Sequence, residues 1–462
     1  MLAKLKKKYI GDWDFYQKYL LLAIPMILQN AITNLVSFLD NIMVGQLGTE
    51  QMSGVAIVNQ LIFVYNLAIF GGVSAASIFG AQYFGKGNHK GHMYSFRFKL
   101  YATLLVTGGA ILLFLTKGSA LISLYLTDTV GNGATDLALQ YGLEYLAIMM
   151  VGLIPFAVNQ SYATNIKETG QTFIPMLASF VAVGTNAILD YLMIFGIGPF
   201  PELGVQGAAL ATVIARYIEA LIVVIWAHIH RGKNRYLEGA YTGFGIPLAE
   251  LKAILIKGFP LMMNEVLWAA GMTTVTQCYS VRGLNVVAGL NIASTITNLF
   301  NIVYLQLGSC ISIVVGQYLG AGKLEDAKDA DNKMIVFSVF CCVIMAALMF
   351  VVGGFFPGIY NTTEEIRELA TSFIAVSAII MPFCAFSHAS YFTLRSGGKT
   401  VVTFLFDSVF TWVIVVPAAY LLAHFTGLGI VSIYFLVQGT ELIKVIIGYL
   451  MVKSNVWVVQ MV

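Results

Sequence analysis

Charge is scarce in this sequence. Of its 462 residues only 11% are Asp, Glu, Lys or Arg, against about 25% in a soluble globular domain. So thin a supply cannot cover a water-facing surface, and 58% hydrophobic residues with a mean hydropathy of +0.81 point the same way. A soluble enzyme, a nucleic-acid binder and a secreted disulfide scaffold are excluded at this level. Charge of one sign is lacking too: 26 basic and 23 acidic residues leave a net +3, too even for a polyanionic partner. The five cysteines form no C-x-x-C pair and read as small core hydrophobes. Catalytic motifs are missing: there is no H-E-x-x-H or G-x-S-x-G, and Gly398-Lys399-Thr400 is no phosphate-binding loop, since Thr393 stands where G-x-x-x-x-G-K-[ST] needs its first glycine. No segment is long enough for a soluble nucleotide-binding domain, so the chain reads as no enzyme, with no cofactor, and active transport would draw on an ion gradient. No small-residue cleavage site follows the basic start at Lys4 and Lys6 to Lys8. That start reads as a cytoplasmic tail, not a signal peptide.

What is present is apolar length. Crossing about 30 Å of hydrocarbon takes about 20 apolar residues as helix. Twelve runs qualify: 19–44, 54–80, 93–116, 135–161, 172–196, 205–229, 254–280, 286–315, 333–355, 366–392, 400–424 and 429–452. They are long and continuous where barrel strands alternate over about ten residues, so the expected class is all-α. Basic residues orient the spans. With the N-terminus inside, 21 of the 26 lie on inner segments and only Lys117, Arg282 and Arg367 on outer ones.

The chain repeats itself. At an offset of 235, Pro25 meets Pro260, Gly48 meets Gly283 and Asn66 meets Asn301; Gln82-Tyr83-Phe84-Gly85-Lys86-Gly87 meets Gln317-Tyr318-Leu319-Gly320-Ala321-Gly322. Ile166 to Thr172 recurs as Leu394 to Thr400 at offset 228. Each copy holds six spans and starts on the same side. Parallel repeats of this kind are related by an axis along the membrane normal, with substrate sites at their interface. The expected architecture is a tail (1–18), an N-lobe (19–230), a linker (231–250), a C-lobe (251–453) and a terminal tail (454–462). The two six-helix lobes are expected to be related by a pseudo-two-fold axis.

Ionisable side chains at membrane depth are costly and mark pathways. Asp40, Glu144, Asp190, Glu219, Glu265, Asp407 and Glu441 are such acids. Arg216 with Glu219, and Glu441 with Lys444, are three apart on one helix and read as local ion pairs. Asp40 has no such neighbour. Placed at 100° per residue, Gln29, Asn30, Thr33, Asn34, Ser37, Asp40 and Asn41 share an arc of about 140°, and apolar residues fill the rest. A stripe of this kind lines water, an ion or other polar helices. Pro25 near its start permits bending. Asn186 and Asp190 share a face four residues apart, and Thr212 offers a further oxygen. Two carboxylates with amide and hydroxyl oxygens suit a monovalent cation such as Na+, or a proton held because neighbouring carboxylates resist double ionisation.

Phe38 to Gly48, Gly80 to Gly87, Asn186-Ala187-Ile188-Leu189-Asp190 and Gly204 to Thr212 together resemble the multidrug and toxic compound extrusion (MATE) transporters, over essentially the whole chain. The resemblance implies twelve helices in two lobes around a cleft, and efflux of amphipathic, mostly cationic drugs or toxic metabolites in exchange for Na+ or H+. It implies that Asp40, Asn186, Asp190 and Thr212 form the N-lobe cation site of the DinF-like branch. Glu265, five residues after Pro260, matches an acidic C-lobe position of NorM-like members, a second acidic site. Lys399 stands where many members carry a further acid, which favours the N-lobe as the coupling centre. The expected protein is a monomer in a bacterial inner membrane, with both termini cytoplasmic. The alternative is a lipid-linked oligosaccharide flippase of the same superfamily, whose phosphates would want more basic groups than Arg216 and Lys444.

Overall fold

The computed structural model describes residues 9–126, 132–243 and 245–462. Lys4 and Lys6 to Lys8 of the expected tail lie outside the described residues. Among those residues there is no strand, and twelve helices are long and apolar enough to cross a membrane. They are α1 (Trp13–Gly45), α2 (Thr49–Lys86), α3 (His89–Ser123), α4 (Asn132–Glu168), α5 (Phe173–Ile194) and α6 (Val205–Ile229). After the linker come α7 (Leu248–Ser280), α8 (Leu284–Gly320), α9 (Leu324–Gly353), α10 (Glu364–Ser396), α11 (Thr400–Phe425) and α12 (Ile430–Lys453). Most outrun their apolar cores, because backbone hydrogen bonding continues where polar side chains are again tolerated. Leu105, Leu112 and Leu115 on α3 are exposed, an exterior suited to hydrocarbon and not to water.

The repeat is written in the backbone as well. Gly87 and Gly322 both end a helix at φ +73, and Gly170 and Gly398 do so at +83 and +70. Only glycine adopts that left-handed turn without penalty. Helices α6 and α12 begin at Val205 and Ile430, a third offset of 225.

Contacts divide the chain into two compact units that cut across the repeats. One holds Leu28–Gly80 and His89–Lys252; the other holds Ala253–Val462, Ala81–Asn88 and the residues up to Ile27. The first unit has one core around Val58, Ile69, Leu146, Leu153 and Ala209. A second, around Phe96, Tyr162, Ile166, Val223 and Tyr236, gathers in the linker. Arg97 fastens that linker: its guanidinium donates to the carbonyls of Gly239 (2.6 Å), Gly245 (2.7 Å) and Ala240 (2.9 Å).

The second unit has a core around Cys342, Phe373, Ile374 and Ala419. Another joins Tyr19, Ala23 and Met26 of α1 to Leu307, Cys310, Leu394 and Trp457. The Tyr19 hydroxyl donates to the Leu307 carbonyl at 2.8 Å. Helix α1 therefore begins in one unit and ends in the other, changing over two residues after Pro25. Residues 454–462, expected as a tail, are packed. Trp457 is buried, and the backbone N–H of Met461 donates to Gln82 Oε1 at 2.8 Å.

Helix α11 is irregular. It winds as π-helix at Leu405–Val409 and again at Thr411–Val415, just before Pro417. Proline cannot donate to the carbonyl four residues back, and wider turns absorb the mismatch.

Candidate cation site

The polar stripe of α1 satisfies itself on one side. The hydroxyl of Thr33 donates to the Gln29 carbonyl (2.8 Å), Asn34 Nδ2 to the Asn30 carbonyl (3.0 Å) and the Ser37 hydroxyl to the Thr33 carbonyl (3.1 Å). Bonding to the carbonyl one turn back lets a helix carry such side chains without outside donors. Thr33, Asn34 and Ser37 are exposed, as a cavity-lining face requires.

Below the stripe the groups cannot look after themselves. Asp40 on α1 and Asp190 on α5 come close enough to interact. Asp190 is 1% exposed, and among the described residues neither of its buried carboxylate oxygens, nor Asp40 Oδ1, has a hydrogen-bond partner of good geometry. Asn186, one turn before Asp190, is buried and donates from Nδ2 to the Thr212 hydroxyl on α6 at 3.4 Å. The four residues expected to form the site thus come from α1, α5 and α6 of a single compact unit. Tyr145 on α4 is a neighbour that sequence reasoning missed: it lies within electrostatic reach of Asp40, Asp190 and Arg216, and its hydroxyl donates to Asn59 at 3.4 Å. No spacing in the chain links it to the aspartates.

Three buried carboxylate oxygens without donors are not a stable resting arrangement by themselves. An unsatisfied buried acceptor costs about 1–3 kcal/mol, more when charged. A bound cation or a shared proton removes that cost, and the donor set is all hard oxygen. Among the described residues no cluster of three or more His, Cys, Asp or Glu could hold a metal. Two carboxylates with neutral oxygens match a monovalent ion or a proton better than a divalent metal.

The other intramembrane charges correct the sequence reading. Lys444 does not pair with Glu441. Its ammonium donates to Asp407 Oδ1 on α11 at 2.7 Å, and Glu441 Oε1 is buried without a partner. Glu441 and Lys444 share the continuous helical segment Glu441–Lys453 that follows the break at Thr440, so it is the approach of Asp407 from α11, not the course of α12, that takes the ammonium. Arg216 does not pair with Glu219 either. Its Nη1 donates to the Gly152 carbonyl at 3.4 Å and its guanidinium sits 5.2 Å from the Phe156 ring centre. Glu219 instead accepts from the Ser179 hydroxyl. Glu265 on α7 lies near Arg395 and Asp407, beside a network in which Asn264 Nδ2 donates to Asp407 Oδ2 at 3.1 Å.

Known proteins share this duplicated, twelve-helix plan. The MatE family model matches residues 25–192 and again 260–421, once in each repeat, beginning at Pro25 and at Pro260. A probable multidrug resistance protein NorM of Thermotoga maritima is 23% identical over 413 residues, covering 89% of this chain and 86% of the relative. Among solved structures, a MOP superfamily transporter from Pyrococcus furiosus superposes with a TM-score of 0.85 at 20% identity, covering 96% of each chain. An outward-facing multidrug resistance MATE family transporter does so with the same score, identity and coverage. At that identity the likeness establishes the fold, the twelve-helix two-lobe architecture expected from the repeats.

Proposed function

The chain belongs to the MatE family of transporters, and from that premise we propose that it is a secondary active antiporter. It exports amphipathic, mostly cationic drugs or toxic metabolites in exchange for Na+ or H+ by alternating access. The observation that carries this reading is the pair Asp40 and Asp190, with three buried oxygens that lack a donor.

In this mechanism a Na+ ion or a proton shared between Asp40 and Asp190 removes one of the pair's two negative charges, and Asn186 and Thr212 orient beside them. Removing the charge lets the polar end of α1 repack. Pro25, two residues from the point where α1 passes between compact units, is the hinge, since a proline weakens the helix at its own position. The face of Asn30, Thr33, Asn34 and Ser37 lines the substrate path. Glu265, beside Arg395, is an auxiliary acidic site. Coupling requires that ion and substrate favour different states, because a ligand equal in both shifts nothing. The protein works as a monomer in a bacterial inner membrane, with the basic ends of its helices inside.

Proteoliposomes loaded with a fluorescent organic cation test this. Efflux is followed under an imposed Na+ gradient, then an imposed pH gradient, with the Asp40→Asn variant alongside. Gradient-driven efflux in the native protein, lost in the variant, is the expected result and names the ion. Efflux unimpaired in Asp40→Asn sinks the coupling role. No dye movement under either gradient sinks drug antiport and favours a lipid-linked substrate.

A further inference from the structure

The three repeat offsets superpose two polar networks that differ in one respect. In the N-terminal repeat Gln29 (α1), Ser179 (α5) and Glu219 (α6) are linked: Gln29 Nε2 donates to Ser179 Oγ at 2.7 Å, and Ser179 Oγ donates to Glu219 Oε1. Offsets of 235, 228 and 225 carry these residues onto Asn264 (α7), Asp407 (α11) and Lys444 (α12). That second set is also linked, by Asn264 Nδ2 to Asp407 Oδ2 at 3.1 Å and by Lys444 Nζ to Asp407 Oδ1 at 2.7 Å.

Counting donors separates the two. The network around Asp407 is complete, since the Ser408 hydroxyl donates to Asn264 Oδ1 at 2.8 Å and an ammonium faces the carboxylate. The network around Glu219 is short of donors: Asn159 also bonds to Glu219, and Asn159 Oδ1 is itself buried without a partner among the described residues. The Ser179 hydroxyl has a single hydrogen; because it accepts from Gln29, that hydrogen goes to Glu219, which then acts as a pure acceptor. Gln29 Oε1 is left buried without a partner. Where the C-terminal repeat holds a covalently attached cation, the N-terminal repeat holds a carboxylate.

We propose that Glu219 is a second proton-binding carboxylate of this protein, separate from Asp40 and Asp190, and that Ser179 and Gln29 connect it to α1. One proton taken from water forms an O–H bond on the Glu219 carboxylate and adds a donor to the network; its return to water on the other side restores the network seen here. The groups facing Glu219 are Asn159 and Lys167 from α4, Ser179 from α5, and Arg216 one turn back on α6. Gln29 lies four residues beyond Pro25, so a change in hydrogen bonding at Glu219 reaches α1 next to its hinge. Charge-assisted hydrogen bonds are about twice as strong as neutral ones, so protonation loosens the hold of Ser179 on Glu219. The proposal rests on the antiport reading for its role in transport, and its binding part can be measured without any substrate.

Infrared difference spectra of the purified protein between acid and alkaline pH count the carboxyl groups that gain a proton. The expected result is a protonated-carboxyl band that survives in Asp40→Asn/Asp190→Asn and disappears in Glu219→Gln. The Ser179→Asp/Glu219→Lys variant installs the other repeat's self-paired set. It is expected to remain monodisperse and to lose that band, and proton-driven dye efflux should fall at least tenfold. An unchanged band in Glu219→Gln overturns the proposal, and so does a band that responds to Na+ at constant pH. Absence of dye efflux in the native protein overturns the antiport reading, while the band still decides whether Glu219 binds a proton.

Discussion

Gly85 and Gly320 occupy the same position in the two repeats, and each lies against the other repeat's glutamine. A Cβ on Gly85 would fall well inside van der Waals contact distance of the Gln317 carbonyl oxygen, and a Cβ on Gly320 well inside that of the Gln82 carbonyl oxygen. Gln82 and Gln317 are themselves repeat partners. The contact is therefore reciprocal, and hydrogen in place of a methyl group allows it twice.

Gly85→Ala and Gly320→Ala should each destabilise the protein by about 1–3 kcal/mol or more, the range for overpacking against a backbone that cannot step aside. Thermal unfolding in detergent measures this. Gly108→Ala, which meets no atom within 4 Å, is the control and should not lower the Tm.

The Asp407–Lys444 pair gives a second prediction. Removing one member of a buried ion pair strands the other charge and costs about 3–5 kcal/mol, whereas replacing both with apolar side chains is often neutral. Lys444→Met should lower the Tm strongly, and Asp407→Leu/Lys444→Met should recover most of it. Equal losses in the single and double variants would show that the pair contributes nothing through its charges.

Cation binding can be read without transport. A ligand that binds only the folded protein raises stability by about 2.7 kcal/mol at one hundred times its Kd. The Tm of the native protein should climb with Na+ at constant pH or, in a Glu219→Gln background, with falling pH, and Asp190→Asn should abolish that dependence. Thr212→Val removes one long hydrogen bond to Asn186. At about 1 kcal/mol it should weaken apparent affinity about fivefold. A Tm in Asp190→Asn that still follows the ion would exclude Asp190 from the site.

Arg97 should prove necessary to the linker. Its three carbonyl acceptors suit a planar fork, which a lysine ammonium cannot reproduce. Limited proteolysis should cut Arg97→Lys and Arg97→Ala faster than the native protein between residues 231 and 247. Identical cleavage rates would mean the linker is held by its aromatic contacts instead, such as His92 with Tyr236 at 4.9 Å.

Membrane insertion, the number of spans, the duplication and the polar stripe of α1 are legible in the residues alone. Each is a local or periodic property: hydrocarbon thickness sets how long an apolar run must be, and 3.6 residues per turn sets which side chains share a face. Pro25, Asn186 and Asp190 stand out for the same reason. Partners across helices are not local. Lys444 has Glu441 three residues away on the same helical segment, yet bonds to Asp407 on another helix because packing brings that carboxylate to 2.7 Å. Glu219 has Arg216 equally near and takes Ser179. The meeting of Asp40 with Asp190 and the transfer of α1 between compact units depend on the register of packed helices. In a medium without water a buried charge settles with whatever group packing brings within reach, so tertiary structure decided those pairings where sequence spacing could only nominate them.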